Sequence, residues 1–168
     1  TGIADGIAMN DAVRRIRNDA IFFANADGLR ISPRLVESII PVEWVHEKRT
    51  REKTRNTLTL AKQAFADERC VVMFPSGRLA RVEKGVLVDE PWESSAVSLA
   101  RKHNAPIIPV HMTGPTSRLF HLFDKFSREL RDVTLFHELL NKEGQTFRLT
   151  FAKPVLAGQL DIDADRAT

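Results

Sequence analysis

Residues 71–81 read Val-Val-Met-Phe-Pro-Ser-Gly-Arg-Leu-Ala-Arg, an apolar run that stops at Pro75 and Gly77. A β-branched apolar run with such an ending predicts a buried strand that feeds a loop. Three cations follow the loop, at Arg78, Arg81 and Lys84. A guanidinium can hold a phosphate through two parallel hydrogen bonds. The stretch therefore predicts either a phosphate-binding loop at a strand end or an ordinary turn with solvated arginines.

Outward from this stretch, short apolar runs alternate with segments of helical periodicity. The clearest helix covers 51–67, where Leu58, Ala61 and Phe65 recur at helical spacing. This alternation predicts an α/β fold with a mainly parallel central sheet flanked by helices. In such sheets ligands bind at the carboxyl ends of the strands, where the loop after Phe74 would lie. The predicted strands are 20–24, 39–45, 70–74, 106–112 and 147–152, and the predicted helices are 6–17, 33–38, 51–67, 91–103 and 119–133.

The size and composition indicate one globular domain. The chain has 168 residues, of which 43% are hydrophobic, so it can bury a core. We expect the domain to cover 1–155 and a C-terminal tail to cover 156–168. The net charge of +3 permits an anionic partner without requiring nucleic acid, and the absence of tyrosine argues against a stacking surface for bases. We therefore predict no nucleic-acid partner.

Cysteine content and hydropathy bear on the compartment. Cys70 is the single cysteine, which excludes an internal disulfide and favours a reducing compartment. It stands in an apolar run, so a packing role is expected rather than a catalytic one. No run approaches the ~20 apolar residues that cross a bilayer. The chain begins at Thr1 and not at a methionine, so we expect a fragment or a processed form.

Three other stretches, together with the Phe-Pro-Ser-Gly segment at 74–77, form a pattern along the sequence. They are Gly-Ile-Ala-Asp-Gly at 2–6, Ile-Ile-Pro-Val at 39–42 and Ala-Pro-Ile-Ile-Pro-Val-His-Met-Thr-Gly at 105–114, together with Trp92. In this order and spacing the chain resembles the phospholipid/glycerol acyltransferase superfamily, of lysophosphatidate acyltransferase type. It is most similar to the hemolysin-like branch, which often carries Phe-Pro-Ala-Gly where the wider family has Phe-Pro-Glu-Gly-Thr-Arg. Ser76 stands at that variable position, and the resemblance extends from Thr1 to about Pro154.

The resemblance implies a catalytic dyad, a histidine followed a few residues later by an aspartate. Asp5 matches the aspartate, and the histidine would lie before Thr1. In the family the histidine is the general base for an acceptor hydroxyl, and the aspartate orients the imidazole and stabilises its cation. No histidine in this chain has a carboxylate five residues later, so we expect all five to be structural or surface residues: His46, His103, His111, His121 and His137.

The resemblance also implies two binding regions. The family arginine that follows the threonine falls on Leu79, so the arginine that holds the acceptor's phosphate or polar head is either Arg81, which we favour, or Arg78. Ile108, Pro109 and Val110 are expected to form the acyl-side wall, although a core strand explains them equally well. Metal-binding motifs are absent, and we expect no metal and no cofactor. The implied acceptor site comprises Phe74, Pro75, Ser76, Gly77, Arg78 and Arg81.

The implied function is O-acyl transfer from an acyl thioester, carried by coenzyme A or acyl carrier protein, to a hydroxyl of a glycerolipid or lysophospholipid-like acceptor. We expect a cytoplasmic protein, peripheral at the inner face of the cytoplasmic membrane. A stripe of Leu119, Leu122, Phe123, Phe126 and Leu130 predicts a helix that docks on the membrane or packs on the sheet. Without its histidine, the chain as given is expected to fold but not to transfer acyl groups. Alternatives are a catalytically silent lipid-binding module of this fold and an unrelated phosphate-binding α/β enzyme.

Overall fold

A computed structural model describes residues 3–43, 46–77, 80–83, 86–114, 137 and 140–159. Its centre is a parallel three-stranded sheet in the order β2-β1-β3. Phe22 lies opposite Ile39 on one side of β1, and Ile21 lies opposite Val71 on the other. The predicted α/β fold is thereby confirmed. In chain order the helices and strands are α1 (Ile3–Arg14), β1 (Ile21–Asn25), α2 (Gly28–Ile31), β2 (Ile39–Val42), α3 (Arg51–Ala66), β3 (Val71–Val72), β4 (Arg81–Glu83), β5 (Val86–Val88), α4 (Ser95–Lys102), β6 (Val110–Thr113) and β7 (Arg148–Phe151).

The two faces of the sheet are covered by different helices. On one face Met9 and Val13 of α1 belong to a buried cluster with Phe22 and Val72. On the other, Ala61 and Ala64 of α3 pack in a cluster with Ile21 and Ile40, and Ile40 is fully buried. Small alanines let α3 approach the strands closely. The core therefore lies in two layers, one on each side of the parallel sheet.

Helix α3 is fixed at its start and at its middle. Thr50 caps it, because its Oγ1 accepts a hydrogen bond from Lys53 N at 3.2 Å. One turn later Thr57 Oγ1 donates to the carbonyl oxygen of Pro41 at 2.6 Å. That bond ties α3 directly to β2. The predicted helix at 51–67 is confirmed to within one residue.

Several predicted boundaries are wrong. Helix α1 begins at Ile3 and not at residue 6, so Asp5 lies in its first turn. The third strand is shorter than predicted, at Val71–Val72, and α4 begins at Ser95 rather than at Pro91. β4 and β5 pair as an antiparallel hairpin that the sequence analysis missed. The predicted helix at 119–133, His121 and Leu160 onward lie outside the described residues.

The last two strands do not join the parallel ladder. β6 and β7 pair with each other antiparallel, with Val110 opposite Phe151. Val110, Met112 and Leu149 nevertheless pack against the α1-side cluster. The prediction of a mainly parallel sheet holds for the central three strands, and this pair extends the core beside them. A 3₁₀ turn at Ala157–Gln159 packs on α4 with Ala157 buried, so the first residues of the predicted tail belong to the packed structure.

Two arginines close the amino edge of the sheet, defined here as the end where its strands begin. Arg69 donates from Nε to the carbonyl oxygen of Asp19 at 3.1 Å and from Nη2 to that of Glu37 at 2.9 Å. These carbonyls precede β1 and β2, and Arg69 itself precedes β3. Arg17 binds the Asp19 carboxylate and donates to the carbonyl oxygen of Glu68 at 2.7 Å. The guanidiniums thus join all three strand beginnings and the end of α1.

The Arg17–Asp19 pair gives this edge a pH dependence. The hydrogen bond from Arg17 lowers the pKa of Asp19 from 3.8 to about 2. Because the folded pKa lies below the unfolded value, the pair stabilises the fold above pH 3.8 and the contribution disappears as the pH falls to about 2. At neutral pH the pair is fully ionised.

We expect Arg69→Ala to lower the free energy of unfolding by about 1.5–3 kcal/mol, because it removes charge-assisted hydrogen bonds at strand ends. Urea denaturation measures the change. Arg15→Ala is the matched control, since Arg15 pairs with Asp11 in the i, i+4 position and both side chains are exposed. Such surface pairs contribute up to ~1 kcal/mol. Equal effects from the two variants would contradict the structural role of Arg69.

Candidate functional site at the carboxyl edge of the sheet

Three chain segments leave the parallel sheet at its carboxyl edge. β1 ends at Asn25, whose Oδ1 accepts from Asp27 N at 2.9 Å, and Ala26 N donates to the carbonyl oxygen of Val42 at 3.0 Å. β3 ends at Val72 and passes directly into the Phe74 turn. Carboxyl ends of parallel strands are where α/β sheets bind ligands. The Phe74 turn therefore lies at the end of the sheet that the sequence predicted.

Asp5 approaches the same edge from α1. The end of α1 is fixed near the amino edge, because Arg17 binds the Glu68 carbonyl just before β3. Met9 and Val13 pack along the sheet, so the helix runs antiparallel to β1 and its first turn points toward the carboxyl edge. Asp5 lies one turn before Met9, on the same face, and is half-buried. Helix direction thus places Asp5 at the end of the domain that carries the Phe74 turn.

The Phe74 turn, residues 74–77, has a defined backbone. Gly77 N donates to the carbonyl oxygen of Phe74 at 2.9 Å, which closes a four-residue turn. Gly77 has φ +58°, in the left-handed region that favours glycine, so the glycine is required by the turn itself. Phe74 is 40% exposed, while Pro75 and Ser76 are half-buried. The turn presents an apolar ring, a hydroxyl and backbone groups at the edge.

A tertiary hydrogen bond fixes the turn from the other side. Glu93 N donates to the carbonyl oxygen of Pro75 at 3.0 Å. Between these points the chain forms the β4–β5 hairpin and then returns through Trp92, which is 64% exposed. The segment before α4 is thereby held extended beside the turn. This contact could not be found in the sequence, since it joins residues that follow no common local pattern.

The structure describes the backbone of one of the two arginines predicted to form the clamp. Arg81 begins β4 and lies opposite Val88, so it belongs to a hairpin strand and not to the turn. Arg78, Leu79 and Lys84 lie outside the described residues. The choice between Arg78 and Arg81 stays a prediction.

The predicted acyl-side wall lies near β6. Ile108 is 52% exposed and Pro109 is also exposed, whereas Val110 is half-buried against the α1-side cluster. Pro109 accepts from Ala152 N at 2.9 Å, and Ile107 bridges to Val155. The core-strand interpretation explains Val110. A role for Ile108 and Pro109 in holding an acyl chain stays a prediction.

The structure describes the surroundings of three histidines and of Cys70, for which the sequence predicted no catalytic role. The His103 ring stacks on Phe65 with centroids 4.5 Å apart, and His111 and His137 are exposed. Burial raises the pKa of the Cys70 thiol, which keeps it protonated and a poor nucleophile at neutral pH. Among the described residues no cluster of histidine, cysteine and acidic side chains could hold a metal ion. Within the same residues, no helix is long and apolar enough to span a bilayer.

Comparison with known proteins identifies the family. A family model described as Acyltransferase matches residues 1–113, which include Asp5 and the Phe74 turn. The chain is 24% identical over 160 residues to a lyso-glycine lipid O-acyltransferase of Phocaeicola vulgatus, covering 92% of this chain and 56% of that protein. It is 22% identical over 160 residues to a lyso-glycine lipid O-acyltransferase of Bacteroides thetaiotaomicron, covering 92% and 57%. No solved structure matches the chain.

The chain spans about half the length of the curated relatives that it matches. The family match covers more than half of the chain and contains both Asp5 and the Phe74 turn. The resemblance inferred from residues 2–6, 39–42, 74–77 and 105–114 is confirmed. The chain belongs to the acyltransferase family, within the glycerolipid acyltransferase superfamily.

Proposed function

We propose that the protein is an O-acyltransferase that moves a fatty acyl group from an acyl thioester to a hydroxyl of a lysolipid or glycerolipid acceptor. The proposal is supported by the match of residues 1–113 to the family, together with the direction of α1 and of β3, which puts Asp5 and the Phe74 turn toward the same edge. Both relatives are named lyso-glycine lipid O-acyltransferases, which supports a lysolipid as the acceptor class.

The proposed mechanism uses a histidine a few residues before Asp5, a position that the sequence given does not reach. Its imidazole takes the proton of the acceptor hydroxyl as the oxygen attacks the thioester carbonyl carbon. The carbon–sulfur bond breaks, and the thiolate leaves and takes up the proton. Asp5 keeps the imidazole in the productive orientation and stabilises its cation. The donor is acyl-coenzyme A or acyl carrier protein, and no cofactor takes part.

The acceptor is proposed to lie along the Phe74 turn. Ser76 and the turn backbone offer polar groups close to the reacting hydroxyl, and the exposed Phe74 ring offers an apolar contact. Because the acceptor is a lipid, we place the protein at the inner face of the cytoplasmic membrane as a peripheral protein. The silent lipid-binding module of the same fold is the outcome if binding occurs without transfer.

The decisive experiment compares two acceptors with one thioester donor, using the protein that includes the upstream histidine. One acceptor is a lysolipid with a free hydroxyl, and the other is the same lipid with that hydroxyl methylated. We expect thiol release and a new ester, found by mass spectrometry, with the free hydroxyl alone. Lipid binding without thiol release would support the silent module. Thiol release that is equal with both acceptors would indicate hydrolysis and contradict acyl transfer.

We expect Arg81→Ala to raise the acceptor KM about ten- to a hundredfold and to change kcat little. A charge-assisted contact to a phosphate or polar head contributes roughly 1.5–3 kcal/mol, and its loss falls mainly on binding. Steady-state kinetics with varied acceptor measures the effect, with Arg78→Ala in parallel. A strong loss with Arg78→Ala and none with Arg81→Ala would transfer the role to Arg78. No effect from either would remove the clamp.

A further inference from the structure

A second surface feature lies away from the carboxyl-edge site, on the outer side of α3. It is a groove of about 690 Å³ between α3 and the last turn of α4. We call it the α3–α4 groove. Its walls carry five cations: Arg49, Arg51, Arg55, Lys62 and Lys102. The volume is far larger than one phosphate needs, so an occupant that uses the whole groove must be extended.

The charged residues that line the groove are all cations. No carboxylate lines it, and Arg51, Arg55, Lys62 and Lys102 are all exposed. The neighbouring Lys53 differs, because its Nζ lies 2.8 Å from Glu43 Oε2 and so serves the fold. Five cations without an acid among them repel one another and attract an anionic partner. Arg49 also serves the fold, since its Nε donates to the carbonyl oxygen of Glu43 at 2.9 Å. That leaves the exposed Arg51, Arg55, Lys62 and Lys102 as the cations that can meet a partner.

The spacing of the cations fits a helix. Arg51, Arg55 and Lys62 lie on one face of α3 over eleven residues, or about 16 Å at 1.5 Å per residue. That length equals about three helical turns. A partner helix with acidic side chains at i and i+4 spacing would meet these cations along its whole length. A single ion or a compact headgroup would meet only one or two of them.

The lining disfavours other anions. An adenine needs a flat ring face, yet the one ring in the groove, that of His103, already stacks on Phe65. A membrane surface needs protruding apolar side chains, whereas this groove is concave and offers only Leu58 and Leu99. Threonine hydroxyls supply the remaining lining. Cations that recur along one face of α3 fit an acidic protein helix.

One end of the groove lies toward the carboxyl edge of the sheet. Helix α3 follows β2, so its first turn, with Arg49 and Arg51 close to it, lies toward the carboxyl edge. The rest of the groove runs along α3 toward the amino edge. A partner docked along α3 would have one end at the carboxyl edge, on the face of the sheet opposite to α1 and Asp5. That arrangement suits a protein that delivers a tethered acyl thioester to the site.

We propose that the α3–α4 groove docks an acidic helix of the acyl carrier protein that donates the acyl group. The proposal rests on the proposed function for its donor chemistry and selects the carrier protein over coenzyme A as the physiological donor. The groove holds the carrier by charge complementarity, and the carrier's thioester arm reaches the carboxyl edge.

The test is direct binding of acyl carrier protein from the same organism to the full-length protein, followed by fluorescence anisotropy. We expect the double variant Arg55→Glu/Lys62→Glu to weaken the Kd at least ~tenfold, because like charges then face each other across the contact. We also expect wild-type binding to weaken steeply with salt. The matched control is Arg101→Glu/Lys153→Glu, which changes net charge equally through exposed residues outside the groove and should stay within about twofold of wild type.

Kinetics with two acyl donors and a vesicle-binding experiment distinguish the possible outcomes. With acyl carrier protein as donor, the groove variant should show a KM raised at least ~tenfold, while transfer from acyl-coenzyme A should be unchanged in every variant. Unchanged carrier binding, or equal losses in the control, would overturn the docking proposal. The docking proposal would also be overturned if the groove variant lost binding to vesicles containing phosphatidylglycerol while its binding to the carrier stayed intact. Failure of wild type to transfer from either donor would overturn the proposed function, while the anisotropy result would still decide the docking. Arg55→Ala/Lys62→Ala repeats the test without introducing acidic groups, and circular dichroism confirms folding.

Discussion

Replacing Asp5 with Asn is expected to lower kcat by about 10²–10⁴-fold in the protein that carries the upstream histidine, with the acceptor KM little changed. An amide has the shape of the carboxylate but carries no charge, so it cannot stabilise the imidazolium that forms as the acceptor loses its proton. The substitution keeps a polar side chain in the first turn of α1, where Asp5 lies, so the fold should be retained.

The control for this prediction stands on the same helix. Asp11→Asn removes a carboxylate whose Oδ2 lies 2.8 Å from Arg15 Nη2 in an exposed pair. We expect its kcat to stay within twofold of wild type, since surface pairs of this kind have small effects. Steady-state thiol release measures both variants. Similar losses in the two, or full activity with Asp5→Asn, would remove Asp5 from the mechanism.

Ile40→Ala is expected to have the largest effect on stability, about 2–5 kcal/mol of the free energy of unfolding. Ile40 is fully buried, in a cluster with Ile21 and the alanines of α3. Truncation removes apolar contacts and leaves a cavity between the sheet and α3, because a helix tied to β2 through Thr57 cannot move inward freely. Urea or thermal unfolding gives the magnitude.

Two further isoleucine substitutions, measured in the same way, serve as controls. Ile40→Val should cost about 0.5–1.5 kcal/mol, and Ile16→Ala, at a side chain that is 79% exposed, should stay within about 0.5 kcal/mol of wild type. The expected order is therefore Ile40→Ala, then Ile40→Val, then Ile16→Ala. An Ile40→Ala effect as small as that of Ile16→Ala would mean that α3 does not pack on the sheet as described.

The central sheet could be predicted because its strands are short apolar runs with clear ends. Residues 21–25, 39–42 and 71–72 pair in parallel, as the alternation with helices indicates. The Phe74 turn could be placed by the same reasoning, since strand direction fixes which loops share an edge, whereas Asp5 was assigned only through the family resemblance. The antiparallel pairing of β6 with β7 could not be predicted, because the order of strands in the sequence does not determine which strands pair.

The errors in the predicted ends of helices and strands have physical causes in nearby residues. The sequence predicts a helix that begins at Gly6, but α1 begins earlier and passes through this residue. Packing of Ala4, Met9 and Val13 outweighs the ~1 kcal/mol cost of a helical glycine. Pro91 was taken as a helix start, yet the backbone of Glu93 binds Pro75 and holds this segment outside α4. Pro106 and Pro109 supply no N–H to a ladder, so β6 starts only at Val110.

Two features were missed although the sequence carries a signal for them. The β4–β5 hairpin follows from apolar Val82, Val86 and Val88 on either side of the Lys-Gly pair at 84–85, which is a turn signal. The cations of the α3–α4 groove recur at Arg51, Arg55 and Lys62, a spacing that marks one helix face. The partner across the groove, α4, depends on tertiary packing and could not be inferred.

The most direct test of the account is a comparison of this chain with the same chain extended by about ten natural residues upstream. The assay is thiol release from an acyl thioester in the presence of a lysolipid. A substrate hydroxyl has a pKa far above neutral, and Asp5 is too weak a base to activate it alone. The account predicts transfer by the extended chain and at least ~10²-fold less by the chain as given, with both equally folded. Equal, robust turnover by the two would contradict the dyad mechanism.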